Sequence, residues 1–195
     1  MDLKEQIYSV LVVSASEKFN QALPEIFPVS VFSPVDVVFN ISAAKRALSE
    51  RDFDFVIVNS PLPDDTGIRF AIDTSDSYNT VVLFLARAEQ YHDAYDKLVR
   101  YGIFLLQKPL SMTVFQAASG WLISARERIR KTEKKTLSIE DKMNEIRLVN
   151  RAKWLLISEL KMTEPDAHRY IEKQAMDRCE AKRQIAEEII KTYGN

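Results

Sequence analysis

The stretch Phe53-Asp-Phe-Val-Ile-Val-Asn-Ser-Pro-Leu-Pro-Asp-Asp-Thr-Gly67 decides how the first half of this 195-residue chain folds. Phe53-Asp-Phe-Val-Ile-Val58 is the clearest strand signature, and the Pro- and Asp-rich segment up to Gly67 is a turn. Working outward, Tyr8-Ser-Val-Leu-Val-Val13 and residues 80–85 repeat the strand signature. Residues 103–106 form a last short run stopped by Lys108-Pro109. Residues 29–32 and 37–39 compete for one more strand. Between these runs lie helical segments: 16–27 with Ser16 as N-cap, 42–51, and 90–101 ended by Gly102. Five strands alternating with helices predict an α/β fold with a parallel sheet covered on both faces.

The second half carries no strand signal. Val114, Ala118, Trp121, Leu122, Ala125 and Ile129 recur at helical spacing. Residues 126–135 are too polar for a core and read as a solvated helix or a linker. Ile139, Met143, Ile146 and Val149 or Asn150 then follow the spacing of a helix-pairing seam, so the helix is expected to dimerise. Three helices complete the chain. The first spans 140–160. The second opens at Thr163-Glu-Pro-Asp166, where Thr163 can cap, Pro165 fits the first turn and Asp166 suits the positive helix end. Its inward stripe is Ala167, Tyr170, Ile171, Gln174 and Ala175. The third spans 180–193, with Ile185, Ala186, Ile189, Ile190 and Tyr193 inward and Gly194 as the stop. The expected division is 1–112 for the sheet domain, 113–139 for a connecting helix and 140–195 for an all-α three-helix bundle.

A composition of 46% hydrophobic and 28% charged residues fits a globular chain and not a disordered or fibrous one. No run approaches the roughly 18 apolar residues of a membrane span. The N-terminus lacks a basic start followed by an apolar stretch, so no secretory signal is expected. Cys179 is the single cysteine, which excludes an internal disulfide framework and points to a reducing cytoplasm, without a zinc cluster. The net charge of −1 is divided unevenly. Residues 1–120 carry ten Lys and Arg against fifteen Asp and Glu, a net of −5, and residues 121–195 carry seventeen against thirteen, a net of +4. A basic half suits a polyanionic partner, although a solvated helical surface gives the same excess.

Over residues 6–130 the chain resembles a response-regulator receiver domain. The resemblance rests on VLVV in the first strand, FDFVIVNSPLPDDTG at the third, VVLFLA at the fourth and LLQKPLS at the fifth, and it implies a five-stranded flavodoxin-like sheet. In that family a carboxylate pair after the first strand and an Asp ending the third hold magnesium, and the latter accepts a phosphoryl group. Here Ser14 and Ala15 replace the pair, Asn59 stands at the acceptor position, and Ala86 stands where the family has a hydroxyl. Of the polar set Lys108 survives, followed by Pro109. The family's aromatic switch position carries Leu105, with Phe104 beside it. The resemblance therefore implies a pseudo-receiver without aspartyl phosphorylation or metal, controlled by a partner protein, a small ligand or expression level. Lys108 is expected to bond Asn59 or a loop carbonyl, and Asp64 and Asp65 to serve the turn.

Residues 140–195 resemble the ANTAR domain, a three-helix RNA-binding module of bacterial transcription antiterminators. The pieces are Arg-Ala-Lys at 151–153, Met-Thr-Glu at 162–164, Ala167, Gln-Ala-Met at 174–176 and Ile185-Ala186; Trp154 departs from the family, which often has Gly there. The resemblance implies recognition of paired short stem-loops in nascent RNA, whose formation prevents a terminator hairpin. Arg147 and Arg151 are one helical turn apart, as are Arg169 and Lys173, and Arg178 and Lys182. With Lys153 and Arg183 they form the candidate phosphate-binding set. His168 and Tyr170 are candidate base stackers, Tyr170 being assigned to the core. Cys179 is expected to begin the third helix. Two other readings stay open: a DNA-binding regulator, since the turn at 161–163 between two helices resembles a helix-turn-helix, and a protein-interaction adaptor. The chain holds no Gly-rich phosphate loop, serine-nucleophile motif or paired-His motif, so no catalytic activity and no cofactor are expected.

Overall fold

The computed structural model describes residues 6–194, and the chain divides into two compact units after Arg130. In the first unit five strands form one sheet: β1 (Tyr8–Val13), β2 (Phe32–Val38), β3 (Phe55–Asn59), β4 (Val81–Arg87) and β5 (Phe104–Lys108). Their order is β2-β1-β3-β4-β5 and every pairing is parallel, the flavodoxin-like arrangement. The helices between them are α1 (Glu17–Gln21), α2 (Leu23–Ile26), α3 (Ile41–Glu50), α4 (Ile68–Ser77) and α5 (Tyr91–Leu98).

The two-residue period of the strands sorts the core into two layers. Leu11, Val13, Val56, Val58, Val82 and Phe84 point to one face and pack on Ala44 and Leu48 of α3, Phe70 and Ala71 of α4, and Ala94 and Leu98 of α5. Val10, Val12, Phe55, Ile57, Leu83 and Leu85 point to the other, against Leu23, Phe27, Phe115 and Leu122. Gly67 opens α4 at φ +85°, and a Cβ there would stand 2.8 Å from Val58 Cγ1, so the turn after β3 needs glycine on both counts.

Two sequence expectations shift. Neither 29–32 nor 37–39 is the second strand: β2 bridges them through Pro34, which an edge strand tolerates because half its backbone needs no partner. The helix expected over 16–27 is broken at Ala22 into α1 and α2, since Pro24 has no N–H with which to continue it. Ser16 does cap α1, its side chain accepting the Phe19 N–H.

α6 runs unbroken over Met112–Leu160. Phe115, Ala118 and Leu122 are its buried residues in the first unit, whereas Val114 and Trp121, part of the expected apolar set, are exposed. The polar segment 126–135 is not uniformly solvated. Asp54, the residue before β3, is buried, and its Oδ1 accepts from Arg126 Nε and Arg130 Nη2, both at 2.8 Å. Its Oδ2 accepts from the Ser9 N–H at 2.9 Å and the Ser9 hydroxyl at 3.2 Å. Arg130 also lies over the Tyr8 ring, 5.0 Å from its centroid, and Glu127 Oε1 accepts from the Tyr8 hydroxyl at 3.0 Å. Burial and that hydrogen bond push the Tyr8 phenol up to about 12.

The second unit contains the end of α6, α7 (Glu164–Arg178) and α8 (Lys182–Tyr193). Its core is Ala152 and Leu156 from α6, Ala167, Ile171 and Ala175 from α7, and Ile185, Ala186 and Ile189 from α8. No residue from 131 to 151 is buried. Among the described residues no helix is long and apolar enough to cross a membrane.

Candidate nucleic-acid interface

Two places were singled out by residue type: the C-terminal edge of the sheet and the basic faces of the bundle. At the sheet edge, strand ends bring Ser14, Asn59 and Lys108 together because parallel strands finish on the same side. The Asn59 amide donates to Ser14 Oγ at 2.9 Å, and Lys108 Nζ donates to Asn59 Oδ1 at 2.8 Å and to the Ser60 carbonyl. Ser14 and Asn59 are buried, as is Ala86, while Ala15 is exposed. Burial, with the Arg87 charge nearby, lowers the Lys108 pKa from its ordinary value. These three polar side chains satisfy one another, and none offers the anionic oxygen that magnesium or phosphoryl transfer requires.

Of the two aspartates expected to serve the following turn, Asp65 does so and Asp64 instead reaches back to α3. Asp64 Oδ2 accepts the N–H of Ile41, the first residue of α3, at 3.0 Å. Asp65 Oδ1 accepts from the Gly67 N–H at 2.8 Å and the Thr66 hydroxyl at 3.1 Å, which hold its carboxyl below the usual range. Among the described residues no group of three or more His, Cys, Asp or Glu could hold a metal ion.

In the second unit a helix start and a helix stop set the stage. Thr163 caps α7: its hydroxyl accepts the Asp166 N–H at 3.3 Å and donates to Asp166 Oδ2 at 2.6 Å, with Pro165 in the first turn. α7 ends at Cys179, whose left-handed backbone (φ +52°) lets the Glu180 N–H reach the Ala175 carbonyl at 3.0 Å. Cys179 therefore closes α7 and does not open α8, contrary to its expected place, and it is exposed.

The bundle places Lys142, Glu145, Ile146, Val149, Asn150 and Lys153 of α6, His168 of α7 and Lys182 of α8 around one groove of about 400 Å³. Lys153, His168 and Lys182 were expected at an interface and are brought together here. Lys142 was not, although its spacing of 4, 3 and 4 to Ile146, Val149 and Lys153 sets it on their face; its neighbours Asp141 and Glu145 hide it in the sequence. Carboxylates hold two of the groove's lysines in place. Lys153 Nζ pairs with Glu164 Oε1 at 2.8 Å, and Lys182 Nζ pairs with Glu172 Oε1 at 2.6 Å, which His168 Nε2 approaches to 3.4 Å. Lys182 first, then the neighbouring charges, keep the Glu172 carboxyl below its ordinary range, and Lys153 does the same to Glu164.

The other candidates lie elsewhere. Arg178 is gripped by Glu188 through two bonds of 2.6 and 2.7 Å and by Glu180 at 2.8 Å, and Arg183 pairs with Glu187 at 2.8 Å. Arg147, Arg151, Arg169 and Lys173 are exposed, and among the described residues they form no ion pair. Tyr170, assigned to the core by its place in the stripe, is 39% exposed, because Ala167, Ile171 and Ala175 fill the inward face alone.

Comparison with known proteins bears on both units. Residues 138–190 match the family model of the ANTAR domain. The transcriptional regulatory protein PdtaR of Mycobacterium tuberculosis is 29% identical over 142 residues, covering 72% of this chain and 69% of the relative. Among solved structures, the signal receiver domain of an HD domain-containing protein from Pseudomonas fluorescens has a TM-score of 0.59 at 19% identity, covering 67% of this chain and 96% of that one. An adenylate cyclase from Rhodopirellula baltica has a TM-score of 0.60 at 17% identity, covering 66% and 96%. At such identities these structures speak for the fold of the first unit alone.

Proposed function

We propose that this chain, a response-regulator-type protein with a C-terminal ANTAR domain, regulates transcription by antitermination, its second unit binding hairpin loops in nascent RNA. The observation that carries this reading is the groove, where Lys142, Lys153, His168 and Lys182 converge from all three helices within the segment that matches the ANTAR model. RNA is read where bases are unpaired, and an irregular basic groove suits a loop better than a regular duplex. An incoming phosphate would compete with Glu164 and Glu172 for the lysines, so affinity depends on shape as well as charge. Replacing Lys153 and Lys182 together by alanine is expected to weaken hairpin binding and flatten the slope of log K against log salt by roughly 1.5. Glu172→Gln, which releases Lys182, is expected to tighten it. Unchanged affinity and slope in both variants would remove the groove from the interface.

The first unit, in this reading, is a pseudo-receiver. Asn59 is a poor phosphoryl acceptor, and the ammonium of Lys108 is already bonded to it and to Ser60. A small phosphodonor with magnesium is expected to leave the mass of the intact protein unchanged; a phosphoryl adduct within residues 1–130 contradicts this. Control then falls to a partner protein, a small ligand or expression level. The protein acts as a homodimer through Ile139 and Met143, exposed one turn apart on α6; Ile146 and Asn150, expected in the same seam, line the groove. Two modules on one dimer engage two hairpins at raised effective concentration. No catalytic step is assigned to the chain.

A further inference from the structure

Trp154 is 70% exposed, and the core dictates that exposure. Its neighbours Ala152 and Leu156, two positions to either side, are buried, so at about 100° per residue the indole faces away from the bundle. Arg147 and Arg151, seven and three positions earlier, fall on the same face, one above the other. Ser158, one turn after Trp154, shares that face and donates its hydroxyl to Glu159 Oε1 at 3.2 Å, while among the described residues Arg147 and Arg151 form no ion pair. This separates it from the groove, where Lys153 and Lys182 are both paired with glutamates.

We propose that Trp154 is a stacking platform for one unpaired base of the bound RNA loop, with Arg147 and Arg151 holding the phosphates that flank it. The inference rests on the RNA reading above and adds a second contact surface to it. An indole offers a flat apolar face to any base, and the base in turn covers surface that the fold leaves in water. Unpaired guanidinium groups one turn apart present fork-like donors to phosphate oxygens without first breaking an ion pair. Two exposed arginines without an ion pair make the face complementary to a polyanion, and that decides for RNA over a second copy of this same face, which would set the arginines against each other.

The test uses the full-length chain carrying Trp121→Phe, which leaves Trp154 as its single tryptophan. Hairpin RNA binding is followed by anisotropy of labelled RNA and, with unlabelled RNA, by indole emission. Quenching of Trp154 along the same isotherm is expected. Trp154→Ala should weaken binding about tenfold to a hundredfold, with Trp154→Phe recovering most of it. Arg151→Ala should reduce the salt slope by about 0.7. RNA binding with unchanged emission and unchanged affinity in Trp154→Ala overturns the platform and leaves the RNA reading standing. No RNA binding by the parent protein removes both. Emission that shifts with protein concentration alone assigns Trp154 to a contact between copies and also overturns the platform.

Discussion

Asp54→Ala is expected to cost the first unit about 3 kcal/mol, which for a unit of this size lowers its unfolding midpoint by on the order of 10 °C. The carboxylate stands between Arg126 and Arg130, whose side chains are 12% and 18% exposed. Removing it takes the shared carboxylate from between two guanidinium groups in a site largely closed to water. Although Arg130 keeps Glu127 at 3.1 Å, breaking a buried ion pair on one side costs more than the intact pair contributes. The effect should be local: the midpoint of the second unit should hold. Thermal unfolding followed by hydrogen exchange, which resolves the two units, checks this; equal midpoints for variant and parent would show that the cluster carries no net stability.

The same cluster predicts a pH response. Burial raises the Asp54 pKa, but the hydrogen bonds from Arg126 and the Ser9 N–H, with the charges of Arg130 and Arg126, outweigh it, and the net is a carboxyl below its ordinary value. A depressed carboxyl stabilises the fold above its unfolded pKa of about 3.9 and loses that contribution as pH falls through the folded value. The gap in stability between the parent protein and Asp54→Asn should therefore be constant near neutrality and narrow below about pH 4.

Leu156→Ala is expected to cost the second unit about 3 kcal/mol through the cavity it leaves. Leu156 has no exposed surface and meets residues of α7 and α8, so nothing nearby can close over the gap cheaply. A unit of about 65 residues has a stability of only several kcal/mol, so this one change should leave it partly unfolded at 37 °C and abolish RNA binding, while the sheet domain keeps its own transition. Leu156→Met, which conserves volume, should cost less than about 1.5 kcal/mol and retain binding. Circular dichroism melts of both variants separate a packing role for Leu156 from a contact role.

Why some of this was legible in the sequence and some was not follows from the kind of contact involved. β3 announces itself because Phe55-Val-Ile-Val58 is buried on both faces, a condition visible in four consecutive residues. β2 does not, because an edge strand half open to water carries Ser33, Pro34 and Asp36 and looks like a loop. Arg126 and Arg130 read as solvated because their partner, Asp54, lies more than seventy positions away, and charge pairing at that separation leaves no periodic trace. The same blindness applies to the bundle. Spacing alone puts Arg178 one helical turn from Lys182, yet it cannot show that Cys179 ends α7 between them, that Glu188 and Glu172 claim them, or that Arg147 and Arg151 are exposed and, among the described residues, form no ion pair. Tyr170 shows the limit of stripe counting: three small or branched residues fill the inward face of α7, and no room is left for a ring.

The most direct measurement is a titration of the full-length protein against an RNA bearing two short hairpins, beside the same RNA with scrambled loops and a duplex DNA of equal length. Tight, salt-sensitive binding to the paired hairpins, with the scrambled RNA and the DNA at least tenfold weaker, is the predicted result. Equal binding to all three, or preference for the duplex, contradicts loop recognition, and no binding to any of them leaves the basic faces of the bundle as solvated surface.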